Sequence, residues 1–198
     1  MNLPNKLTVL RLILVPVFFL SYQLRSLGFA AAGIISTILM VVCYATAELS
    51  DLLDGKIARK YNLVTDLGKV MDPFADTLSH LTFFVCFFGY GIMPAWTFII
   101  VMWREFGILF LRMLMMRVGK AVPANIFGKS KTVFYAVTTF LAIVFITLES
   151  FAPAGSWNGI YRTVLYVFFS HAAIASLLSF VTYLKDIFKS KALSGMTR

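Results

Sequence analysis

The chain has 198 residues, of which 60 % are hydrophobic and only 14 % charged, with a mean hydropathy of +0.84. Soluble domains average roughly 45–50 % apolar and about 25 % charged residues, so this composition argues against a soluble enzyme and excludes a disordered chain. A net charge of +9 in so apolar a chain points to a membrane protein facing anionic lipid ahead of nucleic acid.

A membrane-crossing helix needs about 20 largely apolar residues. Taken in chain order, six runs come near that length: about 7–21, 29–51, 67–88, 94–115, 132–148 and 161–184. The first carries Arg11 and lacks an A-x-A-like exit, so it does not read as a cleavable signal peptide. Turn chemistry separates later runs at Gly89-Tyr90-Gly91, Ala121-Val122-Pro123 and Pro153-Ala154-Gly155-Ser156. The expected architecture is an all-α integral membrane protein of six transmembrane helices, forming one membrane-embedded domain over 1–198. Cys43 and Cys86 both lie in apolar runs and offer neither a disulfide framework nor metal-ligand spacing.

Lys and Arg set the orientation. Lys6 and Arg11, the 56–69 connection, the 112–131 connection and the C-terminus place 15 basic residues on one side, against Arg25 and Arg162 on the other. With an even number of spans, both termini are expected in the cytoplasm.

Six of the nine acids fall between 48 and 76: Glu48, Asp51, Asp54, Asp66, Asp72 and Asp76. Asp51 and Asp54 are spaced i, i+3, and Asp72 and Asp76 i, i+4, so each pair occupies one helix face. Two neighbouring helix ends would then aim four carboxylates at one volume, which requires cations. Oxygen-only ligands suit Mg²⁺, Ca²⁺ or Mn²⁺ rather than Zn²⁺. The plainer alternative is a set of helix-end acids paired with Lys56, Arg59, Lys60 and Lys69. Gly55, Ala58 and Gly68 would allow close approach of a ligand, and Arg59 could hold phosphate bidentately. Together these features read as a phosphate-ester site.

The stretch from Asp51 to Asp76 resembles the D-x-x-D-G-x-x-A-R-x8-G-x3-D-x3-D motif of the CDP-alcohol phosphotransferase family, with Asp51, Asp54, Gly55, Ala58, Arg59, Gly68, Asp72 and Asp76 all in register. Asn5-Lys6-Leu7-Thr8 with Arg11, Arg104-Glu105-Phe106 with Arg112, and Gly128-Lys129-Ser130-Lys131-Thr132 resemble a bacterial branch of that family. Thr77 stands where that branch usually has Lys, and Ser79-His80 and Leu109-Phe110 also depart from it.

The resemblance implies the CDP-alcohol phosphotransferase fold, CDP-diacylglycerol as donor, sn-glycerol 3-phosphate as acceptor, and phosphatidylglycerol phosphate and CMP as products. It further implies two Mg²⁺ or Mn²⁺ ions held by Asp51, Asp54, Asp72 and Asp76, with Asp76 taking the acceptor's proton. Asn5, Thr8, Gly55, Ala58, Arg59 and Gly68 would bind the CDP moiety. A homodimer is compatible with the family, and membrane lipids are the expected surroundings.

The acceptor phosphate needs fixed positive charge. Arg104 lies inside a span, where an unpartnered guanidinium costs several kcal/mol on most scales. It is the first candidate; Arg112, two turns on, Lys129 and Lys131 are the others. For Arg104 the alternative is a structural ion pair, although adjacent Glu105 points about 100° away round the helix. For the rest it is anchoring by the positive-inside rule. His80, one turn after Asp76, is either a hydrogen-bonded core group or a contact to the acceptor.

One rival function keeps the chemistry and changes the acceptor to inositol phosphate, another phospholipid or a choline-like alcohol. Another is a cation-coupled transporter, which explains intramembrane acids but not Gly55, Ala58, Arg59 and Gly68 in register. No nucleic-acid partner is expected, because the basic residues follow topology.

Overall fold

The computed structural model describes residues 1–29, 31–117, 126–152 and 155–189. Six α-helices account for most of them: α1 (Leu3–Gln23), α2 (Ala32–Lys60), α3 (Asp66–Gly89), α4 (Ala95–Arg117), α5 (Ile126–Phe151) and α6 (Ser156–Lys189). A short 3₁₀ turn, Leu24–Leu27, follows α1, and the described residues contain no strand. The expected breaks at 121–123 and at Pro153 and Ala154 lie outside the described residues, as does the side chain of Lys129.

The helix ends explain where the acid-bearing segments sit. α1 starts earlier than the apolar run because the Asn2 side chain accepts a hydrogen bond from the Asn5 backbone N–H and Pro4 follows in the first turn. α2 runs past Asp51 to Lys60 before it is stopped. There Asn62 takes a left-handed φ of 51°, and the Leu63 N–H returns to the Ala58 carbonyl at 2.9 Å. Thr65 then caps α3 by accepting from the Gly68 N–H at 3.0 Å. Asp51 and Asp54 therefore lie in the last turns of α2, and Asp72 and Asp76 in the first turns of α3.

Packing places α1 against both α2 and α3, α4 against α3 and α6, and α5 against α6 and α2. The core is largely aromatic, with Phe18, Phe84, Phe87, Tyr135, Phe145 and Phe169 fully buried. Outward faces are apolar as well: Ile34, Ile35, Ile38 and Val42 of α2 are all exposed. An apolar exterior of this kind has lipid as its natural solvent.

Four segments are long and apolar enough to cross a membrane: Leu3–Leu27, Ala32–Lys60, Lys131–Phe151 and Trp157–Lys189. α3 and α4, with 24 and 23 residues, have the length but fall outside this set. Their sequences carry Asp72, Asp76 and His80 in α3, and Arg104, Glu105 and Arg112 in α4. The two helices with the weakest membrane signature carry part of the candidate chemistry, while Asp51 and Asp54 lie on the more apolar α2.

Candidate active site

The first helix supplies the floor of the site. Arg11, only 3 % exposed, sends Nη1 to Asp51 Oδ1 and Nη2 to Asp54 Oδ2, each at 2.5 Å. One turn earlier on the same face, fully buried Thr8 donates to Asp72 Oδ1 at 2.7 Å and lies 3.4 Å from Asp54 Oδ2. α1 thus ties the α2 acids to the first α3 acid through one guanidinium and one hydroxyl. The acids face outward from this floor: Asp51 and Asp72 are exposed, Asp76 is partly exposed and Asp54 is buried. Among the described residues no three Asp, Glu, His or Cys side chains stand in a metal-ligating arrangement; Arg11 and Thr8 lie among the carboxylates instead.

A second tie holds α1 to the start of α3. Asn5 Nδ2 donates to Thr65 Oγ1 at 3.1 Å, and a Cβ on Gly68 would come within 3.1 Å of Asn5 Oδ1 and 3.2 Å of Thr65 Oγ1. A side chain here would crowd the contact between α1 and the start of α3 by a few tenths of an ångström. Just outside the site, the hydrogen bond from exposed Lys69, followed by its charge, holds the Asp66 carboxyl below the usual carboxylate range.

Asp76 leads to a second polar cluster. His80 Nδ1 lies 3.1 Å from Asp76 Oδ1 and 2.9 Å from the Asp76 carbonyl oxygen. The His80 ring meets the Tyr135 ring edge-on at 5.3 Å between centroids. Tyr135 belongs to a buried knot centred on Glu105, whose Oε1 accepts from Arg104 Nη1 at 2.9 Å, Lys131 Nζ at 2.9 Å and the Tyr135 hydroxyl at 3.0 Å. Arg104 Nη2 also donates to Ser179 Oγ, and the Ser176 hydroxyl donates to the Tyr135 oxygen at 3.0 Å.

The structure brings together Asn5, Thr8, Asp51, Asp54, Gly68 and Asp72 around α1, and Asp76 with His80 beside them. Arg104 and Lys131 meet on Glu105. Arg112 is not part of that knot: it is exposed and hydrogen-bonds Tyr183. Arg59 is exposed and folds back on its own helix, donating from Nε to the Gly55 carbonyl at 2.9 Å; Ala58 is half-buried.

Two central groups were given no site role by the sequence reading. Arg11 entered it through the resemblance that runs from Asn5 to Arg11, the signal-peptide argument and topology, although the cost of a guanidinium inside a span applies to it as much as to Arg104. Glu105 looked badly aimed, but the reach of the Arg104 side chain closes the angle between helical neighbours. Tyr135, Ser176 and Ser179 carried no sequence signal, because a hydroxyl in an apolar helix usually bonds its own backbone.

The family described as CDP-alcohol phosphatidyltransferase matches residues 1–183. A CDP-diacylglycerol–glycerol-3-phosphate 3-phosphatidyltransferase of Treponema pallidum is 35 % identical, covering 100 % of this chain and 95 % of that protein. A protein of the same name from Bacillus subtilis is 31 % identical over 83 % of this chain and 90 % of its own length. A probable phosphatidylglycerophosphate synthase of Mycobacterium tuberculosis is 34 % identical over 72 % of this chain and 66 % of its own.

Proposed function

The chain belongs to the CDP-alcohol phosphatidyltransferase family and is a transferase of the membrane, and on that premise we propose that it moves the phosphatidyl group of CDP-diacylglycerol to the hydroxyl of glycerol 3-phosphate, giving phosphatidylglycerol phosphate and CMP. The observation that carries this reading is the clasp of Arg11 and Thr8 on Asp51, Asp54 and Asp72, with Asp76 alongside. It gathers the acids of the family motif on one floor, next to a buried pair of cations.

The donor set suits hard divalent ions. Two of the four carboxylates pair with the one guanidinium of α1, Asp72 meets the neutral Thr8 hydroxyl and Asp76 lies beside His80, so the cluster retains an excess of negative charge, and its oxygens match Mg²⁺ or Mn²⁺. Asp51, Asp54, Asp72 and Asp76 would hold two such ions, which when bound neutralise the diphosphate and the charge that develops on the entering and departing oxygens.

The remaining roles fall to the chain's own groups. Asp76 takes the proton of the acceptor hydroxyl, and His80 orients its carboxylate from one turn away. Asn5, Thr8, Gly55, Ala58, Arg59 and Gly68 border the CDP moiety; Gly68 keeps that edge free of a side chain, and Arg59, exposed one turn from Gly55, can swing to a phosphate. Arg104 and Lys131 receive the acceptor's phosphate; Lys129 and exposed Arg112 stay further candidates for it. Burial in an apolar bundle strengthens that attraction, since little water screens it.

Orientation follows the basic residues: the site and both termini face the cytoplasm of a bacterial inner membrane, and α3 and α4 cross beside the four apolar helices with His80, Arg104 and Glu105 buried. The acceptor is chosen over inositol phosphate or choline-like alcohols on the names of the relatives.

The deciding experiment is CMP release by the purified protein in lipid nanodiscs at fixed CDP-diacylglycerol, with a panel of acceptors. Release that depends on glycerol 3-phosphate is expected. Release with another alcohol alone would reassign the acceptor, and none with any would remove the enzymatic reading.

A further inference from the structure

Glu105 sits at the centre of the cation pair without touching any acid of the motif. Three donors converge on one of its oxygens: Arg104 from its own helix, and Lys131 and Tyr135 from α5. Glu105, Arg104 and Lys131 are 3 %, 6 % and 5 % exposed. An ion pair built for stability needs one cation per acid, and even then burial often costs as much as the pairing returns. Here two cations share one carboxylate, so the knot itself carries a surplus positive charge in a low-dielectric interior, with the Asp76 carboxylate also within reach of the Lys131 charge. Arg104 Nε is buried and has no hydrogen-bond partner among the described residues. A surplus charge and an unused guanidinium N–H side by side are complementary to an anion.

We infer that Glu105 is a positioning residue of the acceptor subsite, setting Arg104 and Lys131 side by side to receive a phosphate. The inference rests on the reading that these two cations bind the acceptor. The knot is anchored from three helices, because Ser179 and Ser176 of α6 hold Arg104 and Tyr135. Gly107 permits this closeness, since a Cβ there would lie 2.9 Å from the Phe180 ring. The knot also abuts Asp76: Thr77 Oγ1 lies 3.5 Å from Glu105 Oε2, and His80 joins the Tyr135 ring to the Asp76 carboxylate. Cations and proton acceptor are thus one side-chain layer apart, which suits a small acceptor with phosphate at one end and hydroxyl at the other. Glu105 holds the two cations together against their mutual repulsion, and the phosphate then finds both in place.

The test uses the full chain in nanodiscs, with CMP release read against glycerol 3-phosphate and against CDP-diacylglycerol separately. Glu105→Gln keeps the shape and removes the charge. It is expected to raise the acceptor KM roughly 10-fold while the donor KM holds. Glu105→Asp, which keeps the charge on a shorter arm, should fall between Gln and wild type and serves if the Gln variant does not fold. Lys131→Met should raise the acceptor KM by itself, and adding Glu105→Gln to it should change little further, because the two act as one unit. An unchanged or lowered acceptor KM in Glu105→Gln, an equal rise in both KM values, or additive effects in the double variant would overturn the inference. If Lys131→Met and Arg104→Ala leave the acceptor KM where it was, the cation reading itself has failed and Glu105 loses this role with it.

Discussion

Arg11 of α1 spans the gap to Asp54 of α2 at 2.5 Å, with both side chains buried. The second nitrogen of the same fork reaches Asp51, and a lysine could not make both contacts. Arg11→Leu strands Asp54 without its cation. Breaking a buried pair from one side costs on the order of 3–5 kcal/mol. The variant is expected to lose that much stability in detergent, read as a fall in Tm, and to release no CMP. Arg11→Lys should keep part of the stability. Wild-type Tm in Arg11→Leu would show that the clasp does not hold α1 to α2.

Much of this was open to a reader of the sequence, and the limits have physical causes. Helical spacing put Asp51 with Asp54 and Asp72 with Asp76 on shared faces, because side-chain direction repeats with the helix. The partner in space was not open to the same reasoning. Two adjacent helices looked sufficient to assemble the acids, whereas α1 joins them through Arg11 and Thr8. Contacts between residues 40 to 64 positions apart leave no periodic trace. The extent of α2 was hidden for another reason: hydropathy fades near Asp51, but the helix continues until Asn62 provides a left-handed stop.

Asp72 and Asp76 carry the strongest expectation of lost activity. Asp72→Asn keeps the Thr8 contact possible and removes a charge; Asp76→Asn removes the proton acceptor. A positioned general base contributes about 10²–10⁴-fold, so CMP release by Asp76→Asn should fall by at least about 100-fold, and Asp72→Asn should lose most activity through a missing metal ligand, each with the fold retained by circular dichroism. Full activity in both variants would end the case for this site.

Metal dependence is the direct consequence of four neighbouring carboxylates of which one guanidinium pairs only Asp51 and Asp54. EDTA should silence CMP release, and Mg²⁺ or Mn²⁺ should restore it. Zn²⁺ should restore it poorly, because the ligand set offers oxygens alone. Added Mg²⁺ should also raise the Tm of wild type more than that of Asp54→Asn, since an ion bound only to the folded state stabilises it. Activity indifferent to chelator would contradict the donor-set argument.

Gly68 tests the edge of the site without changing a charge. A methyl there would come within 3.1 Å of Asn5 Oδ1 and 3.2 Å of Thr65 Oγ1, so both must yield by a few tenths of an ångström. The hydrogen bond between Asn5 and Thr65, which joins α1 to the cap of α3, is the contact that gives way. Gly68→Ala is expected to raise the KM for CDP-diacylglycerol and to leave the acceptor KM within about twofold. A change confined to the acceptor KM would move Gly68 to the other side of the reaction centre.

The opposite end of the bundle supplies a contrast between ionic groups that serve structure and those that serve chemistry. Glu149 of α5 accepts from the Tyr90 hydroxyl beyond α3, from Asn158 Nδ2 at 2.9 Å and from Arg162 Nη2 at 3.2 Å, both on α6. Arg25 lies over the Tyr90 ring at 4.6 Å and donates to Ser150 at 3.2 Å, bringing the end of α1 into the same clasp. Here only Arg162 pairs with the acid, because Arg25 rests on the Tyr90 ring and the Ser150 hydroxyl, so among the described residues no two cations share this carboxylate. Glu149→Gln keeps one acceptor oxygen and loses the charge, so the expected cost is about 1–2 kcal/mol, the value of hydrogen bonds to a charged group in a partly exposed setting. Tm should fall by a few degrees while both KM values and kcat stay at wild type. A selective loss of acceptor affinity would mean that this clasp, far from the acids, is coupled to the Glu105 knot through α5, which carries both.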